Sequence, residues 1–395
     1  MKRVPLHDLL VLSDSGVWGD EDADNGISVL RSTNFNSDGS LNFKKLSFRA
    51  IDPKKRDAKL LSEGDILLEK SGGGPQQPVG RVSLFQGSEL PQSFGNFIAR
   101  LRPTVEVLSE YLFYYLWQFH ALGKTSHYQK QTTGIRNLEF KRYLTIEVPV
   151  PSIAEQQSIV DILSRAEGIV RLRREAEKKA EELIPALFLD MFGDPTTNPK
   201  GLPVQKVSDF VSSFQGGKNI QAGSENGSPY RILKVSAVTS GVYRESQSKP
   251  SPDGYSPPVS HIVRVGDMLF SRANTEELVG ATAIVERTDG KTLLPDKLWR
   301  FVWSEPVETA YMHALFQSTH VRQELGKLSS GTSASMRNIS QGKLFQLTLP
   351  IAPYTSQKDF AGRSAIIHSI QSQQSVATAT AQATFDALLS KVFAT

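Results

Sequence analysis

The chain has no cysteine in 395 residues. That absence excludes a disulfide framework, a thiolate zinc or iron–sulfur site and a cysteine nucleophile, and it fits a reducing cytosol. Long hydrophobic runs are missing too, since no window approaches the roughly 18 apolar residues of a membrane span. The opening residues Lys2, Arg3, Val4, Pro5, Leu6, His7 and Asp8 lack the apolar stretch of a secretory signal. A soluble, cytoplasmic protein with no membrane partner is expected. An excess of one charge is also lacking, because 45 basic residues against 41 acidic ones leave only +4. Bulk charge therefore gives no argument for a polyanionic partner, and a local basic patch would have to supply it.

Catalytic signatures are equally sparse. Gly123-Lys124-Thr125 and Gly290-Lys291-Thr292 look like the end of a phosphate loop, but the glycine required five positions earlier is Gln118 in one and Val285 in the other. There is no GxGxxG and no Asn-Pro-Pro-Tyr or Asp-Pro-Pro-Tyr tetrapeptide of the kind that holds a flipped base in amino-methylating DNA enzymes. The histidine pairs His120/His127 and His313/His320 have no third ligand at metal spacing, which favours helix packing over metal binding. No catalytic residue, metal site or bound cofactor is expected.

What the chain does contain is a duplication. Arg136-Asn137-Leu138, followed by Leu144-Thr145-Ile146-Glu147-Val148-Pro149, recurs 201 residues later as Arg337-Asn338-Ile339, followed by Phe345-Gln346-Leu347-Thr348-Leu349-Pro350. Gln156 answers to Gln357, and Ala186-Leu187-Phe188 to Ala387-Leu388-Leu389. The pattern is A-B-A′-B′, which suits a partner that also has two parts. At this length each globular unit can bury a core without staples.

The A segments, residues 1–150 and 194–352, alternate short β-rich runs with Gly, Asn, Asp and Pro clusters, so antiparallel strands with long loops are expected. Gly64-Asp65 and Gly266-Asp267 each supply a turn before a buried strand, and residues 110–121 and 310–325 read as helices. The B segments, residues 151–193 and 353–395, read as long helices. Ser152-Ile153-Ala154-Glu155 is a capping box, and Ile159, Ile162, Ala166, Ile169, Ala176, Ala180, Leu183 and Leu187 suggest a coiled-coil seam. The second seam is read as Phe360, Ile367, Ile370, Ala377, Ala381 and Leu388. Two such helices, each about 55 Å long, are expected to pack antiparallel, with Pro185 kinking the first. The fold class is thus α+β: two similar β-rich globular units joined by two long coiled-coil helices. The charged run 165–182 reads either as a solvated coiled-coil exterior, the favoured reading, or as a partner-binding face.

Two places in each A segment carry binding chemistry. Lys70-Ser71-Gly72-Gly73 puts a cation, a hydroxyl and close-approach glycines after a strand, and Arg272 with Asn274 offers residues suited to guanine and adenine edges. The other reading is a polar hairpin loop. The second place is Lys130, Thr132, Thr133, Gly134, Arg136 and Asn137, matched by Ser333, Ser335, Arg337 and Asn338. Small hydroxyl residues before an arginine can contact phosphates; alternatively, Arg-Asn caps the next element.

The ordered set resembles the specificity subunit of type I restriction-modification systems. The resemblance rests on Gly64-Asp65-Ile66-Leu67-Leu68 and Gly266-Asp267-Met268-Leu269-Phe270, on Thr132-Thr133-Gly134-Ile135-Arg136-Asn137-Leu138, and on Val148-Pro149-Val150-Pro151 leading to Glu155-Gln156-Gln157. The junction Leu187-Phe188-Leu189-Asp190-Met191-Phe192-Gly193-Asp194-Pro195 adds to it. It implies two target recognition domains, each reading half of a split double-stranded DNA sequence, and two helices that set their separation. It implies partners as well: two methyltransferase subunits, which hold S-adenosylmethionine, and restriction/translocase subunits. Gln156, Gln157, Arg173, Arg174 and Gln357 are the expected partner contacts, although Pro353-Tyr354-Thr355-Ser356-Gln357 departs from the Glu-Gln-Gln form. The competing reading is a non-enzymatic tandem-repeat scaffold that binds peptides or glycans.

Overall fold

The computed structural model describes residues 2–74, 77–132, 135–225, 227–331 and 336–393. Two compact units emerge: Met1–Arg174 with Ala377–Thr395, and Glu175–Val376. The division falls within the long helices, so each unit owns one end of each helix.

The first unit is built on a four-stranded antiparallel sheet with the order Leu10–Ser15, Ile98–Pro103, Ile66–Glu69, Val82–Leu84. Beside it, Ile27–Leu30 pairs antiparallel with Ser47–Arg49 and parallel with Gln92–Phe94. Two smaller pairings complete it, Lys2–Pro5 with Glu147–Val150 and Gln129–Thr132 with Ile135–Leu138, the latter also joined to Ser71–Gly73. The second unit repeats the plan. Its four-stranded sheet runs Val211–Gly216, Leu298–Trp303, Met268–Ser271, Thr282–Ile284, and Arg231–Leu233 lies between antiparallel Ser248–Pro250 and parallel Thr292–Leu293.

The repeated Gly-Asp motif has a local physical cause. Gly64 and Gly266 adopt φ of +89° and +87°, a region costly for other residues. The aspartate that follows closes the turn, Asp65 accepting from the Ser62 N–H and Asp267 from the Arg264 N–H, both at 2.8 Å. It also pairs with an arginine on the neighbouring strand, Arg102 at 2.7 Å and Arg300 at 2.8 Å. The next residues, Ile66–Glu69 and Met268–Ser271, are buried throughout, as expected of strands at the centre of a unit.

The first expected helix is seen at Ser109–Ala121. Its counterpart is broken: Thr309–Gln317 and Thr319–Leu328 are separated by Ser318, at φ −59° and ψ 144°. The Leu315 carbonyl accepts from both the Ser318 N–H at 3.1 Å and Ser318 Oγ at 2.7 Å, so one residue caps the first helix with its backbone and its side chain.

The long helices are Ile153–Glu181, continued after a break by Leu183–Phe192, and Tyr354–Phe393. The break at Glu182 is explained by Pro185, which has no N–H to bond one turn back. The capping box forms as expected, Glu155 Oε2 accepting from the Ser152 N–H at 2.9 Å. The seam matches the sequence reading in part: Ile159, Ala166, Ala180, Leu187, Phe360, Ala381 and Leu388 pack as expected. In the first unit Val160, Leu163 and Val170 are buried, whereas Ile162 and Ile169 are about half exposed at 50% and 54%. Ala176 is exposed as well. The most deeply buried positions lie one residue further on than Ile162 and Ile169, because Val160 and Leu163 pack into the same core as Leu112, Leu116, Phe385 and Phe393, with Ile159 and Ala166 at its edge. On the last helix Phe360, Phe385 and Leu389 are buried, and Ile370 is exposed. Inside the first unit the start of the first long helix packs with the end of the last. In the second unit Phe188 and Phe192 pack against Phe360, the opposite ends. Both pairings are antiparallel.

Candidate nucleic-acid interface

The two candidate segments, distant in sequence, are neighbours in each unit. Ser71 pairs with Asn137 and Gly73 with Arg136, joining Ser71–Gly73 to Ile135–Leu138. Ala273 pairs with Asn338 and Asn274 with Arg337 in the same way. One further bond is conserved between the copies, Leu138 N–H donating to the Lys70 carbonyl at 2.7 Å and Ile339 N–H to the Arg272 carbonyl at 2.9 Å. A shared surface carrying Lys70, Ser71, Arg136 and Asn137 results, and its counterpart carries Arg272, Asn274, Arg337 and Asn338.

The glycines fit the close approach for which they were singled out. Gly72 is exposed at φ +96°, and a Cβ there would lie 3.4 Å from the ring of Phe97. At Gly73 a Cβ would come within 2.6 Å of the Gln77 carbonyl oxygen and 2.9 Å of the Val79 nitrogen, so no larger residue fits. Phe97, 51% exposed, was not legible as part of this surface; its carbonyl accepts from the Lys70 N–H at 2.9 Å.

The cations differ in how free they are. Lys70 Nζ donates to Ser15 Oγ at 2.7 Å and has no carboxylate partner among the described residues. Burial and then the positive charge of Lys59 hold its ammonium below the usual lysine pKa, an environment that an incoming anion would relieve. Arg136 is half-buried and has no side-chain bond among the described residues. Lys130 is exposed and pairs with Glu139 at 2.6 Å. Arg272 donates from Nε to the Asp296 carbonyl at 2.8 Å and lies 5.5 Å over the Trp299 ring. Arg337 is held by its own loop, with Nε on Ser329 Oγ at 3.0 Å and two longer bonds to the Gly331 and Ser329 carbonyls. Asn274 Oδ1 accepts from the Thr275 N–H at 2.9 Å. Thr133, Gly134, Ser333 and Ser335 lie outside the described residues, as does the side chain of Thr132.

Two of the expected partner contacts need correction. Gln156 is fully buried: its Oε1 accepts from the Leu108 N–H at 2.8 Å, and its Nε2 donates to the Glu106 and Pro151 carbonyls at 3.1 and 3.0 Å. Gln357, also buried, accepts from the Glu308 N–H at 3.0 Å and donates to the Ala352 carbonyl at 2.8 Å. These glutamines repeat because each locks the start of a long helix to the loop before the buried helix of its own unit, and neither offers surface to a partner. Gln157 is exposed and donates to Asp161 Oδ1 at 3.0 Å. Arg173 is exposed, and Arg174 donates to Gln382 Oε1 at 2.8 Å and lies 3.7 Å from Asp38.

The histidines behave as packing groups. His120 Nδ1 lies 3.1 Å from Thr125 Oγ1 and His313 Nδ1 2.9 Å from Thr282 Oγ1, and burial pushes both imidazoles down to about 4. Among the described residues no group of three His, Cys, Asp or Glu could hold a metal, and no helix is long and apolar enough to cross a membrane.

Residues 20–182 match the family model described as the type I restriction modification DNA specificity domain. That match takes in most of the first unit and the first long helix up to its break, and it covers less than half of the chain. The chain is similar to the type I restriction enzyme EcoEI specificity subunit of Escherichia coli, with 27% identity over 202 residues, 50% of this chain and 34% of that one. The match thus spans about a third of that relative's length. Similarity to the EcoKI specificity subunit of Escherichia coli K12 is 22% over 362 residues, covering 86% of this chain and 76% of that one. The fold is shared with a type I restriction-modification S subunit from M. genitalium at a TM-score of 0.55 and 11% identity, over 99% and 96% of the two chains. The specificity-domain match ends inside the first long helix, and the second unit repeats the strand order and pairing of the first. Both units therefore present the same frame around different loops.

Proposed function

We propose that this chain is the non-catalytic DNA-reading subunit of a type I restriction-modification complex, each unit recognising one half of a split double-stranded target. The observation that carries this reading is the recurrence, in both units, of one small sheet on which a post-strand cation (Lys70 or Arg272) lies beside an Arg-Asn pair. A cation and small residues at one edge can engage phosphates while nearby loops address base edges. Methyl transfer would belong to partner methyltransferase subunits that hold S-adenosylmethionine, and translocation and cleavage to restriction subunits.

The long helices supply a face for those partners. Ile162, Ile169 and Leu172 are 50%, 54% and 60% exposed in the first unit, a solvent-facing apolar stripe at helical spacing. Its position on a long helix outside the candidate interface favours a methyltransferase over a peptide or glycan, the alternative scaffold reading. The test is to map methylated positions by sequencing DNA from cells that express the chain with its methyltransferase. Substituting the loops of the second unit alone should change one half of the target and leave the other unchanged. A change in both halves, or in neither, refutes the division of reading between the units. Inserting four residues after Ala176 should alter the gap between the halves, and an unaltered gap sinks the spacer role of the helices.

A further inference from the structure

The two units share a frame but not a charge pattern. In the first unit Arg100 donates to the Ala58 and Leu60 carbonyls at 2.9 and 2.7 Å, anchoring the end of the short helix Pro53–Ala58. In the second unit Arg300 makes the same two bonds, to the Ser260 and Ile262 carbonyls at 2.7 and 3.1 Å. The outer strand has the same offset: Phe48, which faces Ser28, corresponds to Pro250, which faces Arg231 at the matching place in the second sheet. With the offset of 202 fixed at both ends, residues 44–56 can be compared position by position with 246–258.

Lys44, Lys45, Lys54, Lys55 and Arg56 are all exposed. Their counterparts are Ser246, Gln247, Ser256, Pro257 and Pro258, every one of them uncharged. None of the four lysine ammoniums has a side-chain partner among the described residues; Arg56 pairs with its exposed neighbour Asp57 at 3.2 Å. Asp52 is committed to capping the short helix through the Lys54 N–H at 2.9 Å. The lysine pairs lie on either side of the strand Ser47–Arg49, Lys44 and Lys45 just before it and Lys54 and Lys55 at the start of the short helix that follows. The strip also continues toward the candidate interface. Lys59, the residue after the short helix, donates to the Ser15 carbonyl at 2.8 Å, and Lys70 donates to the hydroxyl of that same Ser15.

We propose that residues 44–56 form a backbone-binding strip, in which four free lysines and Arg56 hold DNA phosphates beside the surface that reads the first half-site, and that the second unit has no equivalent. This rests on the DNA-reading function proposed above. The two halves of the target are then held unequally: the first by the strip together with its reading surface, the second by its reading surface without a strip. Free lysines that neutralise phosphates release condensed counterions, so they set the salt dependence of binding without adding sequence preference.

The test uses the 395-residue chain assembled with its methyltransferase, and measures DNA affinity against salt for a duplex bearing the methylated target. The quadruple substitution Lys44→Gln, Lys45→Gln, Lys54→Gln and Lys55→Gln should make the slope of log K against log salt shallower by about 3.6, at about 0.9 per phosphate contact. Between 50 and 200 mM salt, chosen as assay conditions, the wild type should then lose roughly 150-fold more affinity than the variant. The methylated sequence should not change, and the corresponding four lysine-to-arginine substitutions should keep the wild-type slope. An unchanged slope in the glutamine variant, with a wild type that binds steeply, overturns the strip alone. A lost slope in the arginine variant also overturns it, because charge would then not be the cause. A wild type with no salt-dependent DNA binding overturns the strip and the reading function together.

Discussion

The buried glutamines allow a prediction whose size follows from their bonds. Replacing Gln156 by leucine keeps the volume and removes the amide, leaving the Leu108 N–H and the Glu106 and Pro151 carbonyls without their partner. At about 1 kcal/mol for each bond, with more for a donor stranded in the interior, the loss is about 3 kcal/mol. Gln357→Leu strands the Glu308 N–H and the Ala352 carbonyl, two bonds rather than three, and should cost about 2 kcal/mol. Hydrogen exchange read by mass spectrometry separates the two. Peptides covering Leu108 should exchange roughly 150-fold faster in the first variant, and those covering Glu308 roughly 30-fold faster in the second, provided each lock opens with its own helix start. If these glutamines instead faced a partner, both variants would keep wild-type exchange and would fail only in assembly with the methyltransferase. That result would refute the lock, and so would a larger effect at Gln357 than at Gln156.

The remaining predictions concern charge. His313 is held to about 4 by burial, below the roughly 6.5 of an unfolded chain, so between those values the unfolded state binds the extra proton. Its contribution to stability is complete above about pH 6.5 and is lost as pH falls toward 4; His313→Gln should flatten that part of the profile of urea midpoint against pH, and an unaltered slope would contradict it. Arg337→Gln removes three bonds to its own loop and should lower stability by about 1–2 kcal/mol, whereas Arg136→Gln, with no bond to lose among the described residues, should stay within about 0.5 kcal/mol and reduce the DNA salt slope by about 0.9. Equal unfolding midpoints for the two variants would show that the arginines play the same role.

How much of this was legible in the sequence depended on the kind of signal. The Gly-Asp turns were readable, because a left-handed glycine followed by a capping carboxylate leaves a local trace. The pairing of Ser71–Gly73 with Ile135–Leu138 was not, since strands more than sixty residues apart carry no mark of their register. The repeat nonetheless placed both segments on the list of candidates, and the fold joined them. Arg136 and Arg337 looked alike as letters and differ in environment, one with no side-chain bond among the described residues and one tied to Ser329 and Gly331. A repeated residue marks a repeated position in the frame; whether its side chain is available is decided by loops that the repeat does not share.

The seam shows the opposite limit. Ile159, Ile162, Ala166 and Ile169 form a clean three-four pattern, and so do Gln156, Val160, Leu163, Glu167 and Val170. The first stripe is the more apolar, which is why pattern alone selects it. Tertiary packing centres on the second and takes only Ile159 and Ala166 of the first. Gln156 must reach the Leu108 N–H, and Glu167 is placed to accept from the Tyr114 hydroxyl at 2.6 Å, so the helix is rotated to bring its polar members inward at defined places. A helix with two apolar stripes and one core has a stripe left over. Ile162, Ile169 and Leu172 are that remainder, each half exposed or more. Covering the exposed part of such residues is favourable by on the order of 1 kcal/mol each, so the stripe suits a surface that a partner covers. Ile162→Glu with Ile169→Glu should therefore leave the unfolding midpoint of the chain alone nearly unchanged while abolishing co-purification with the methyltransferase. Retained co-purification would show that the wrong helix face has been assigned to the partner.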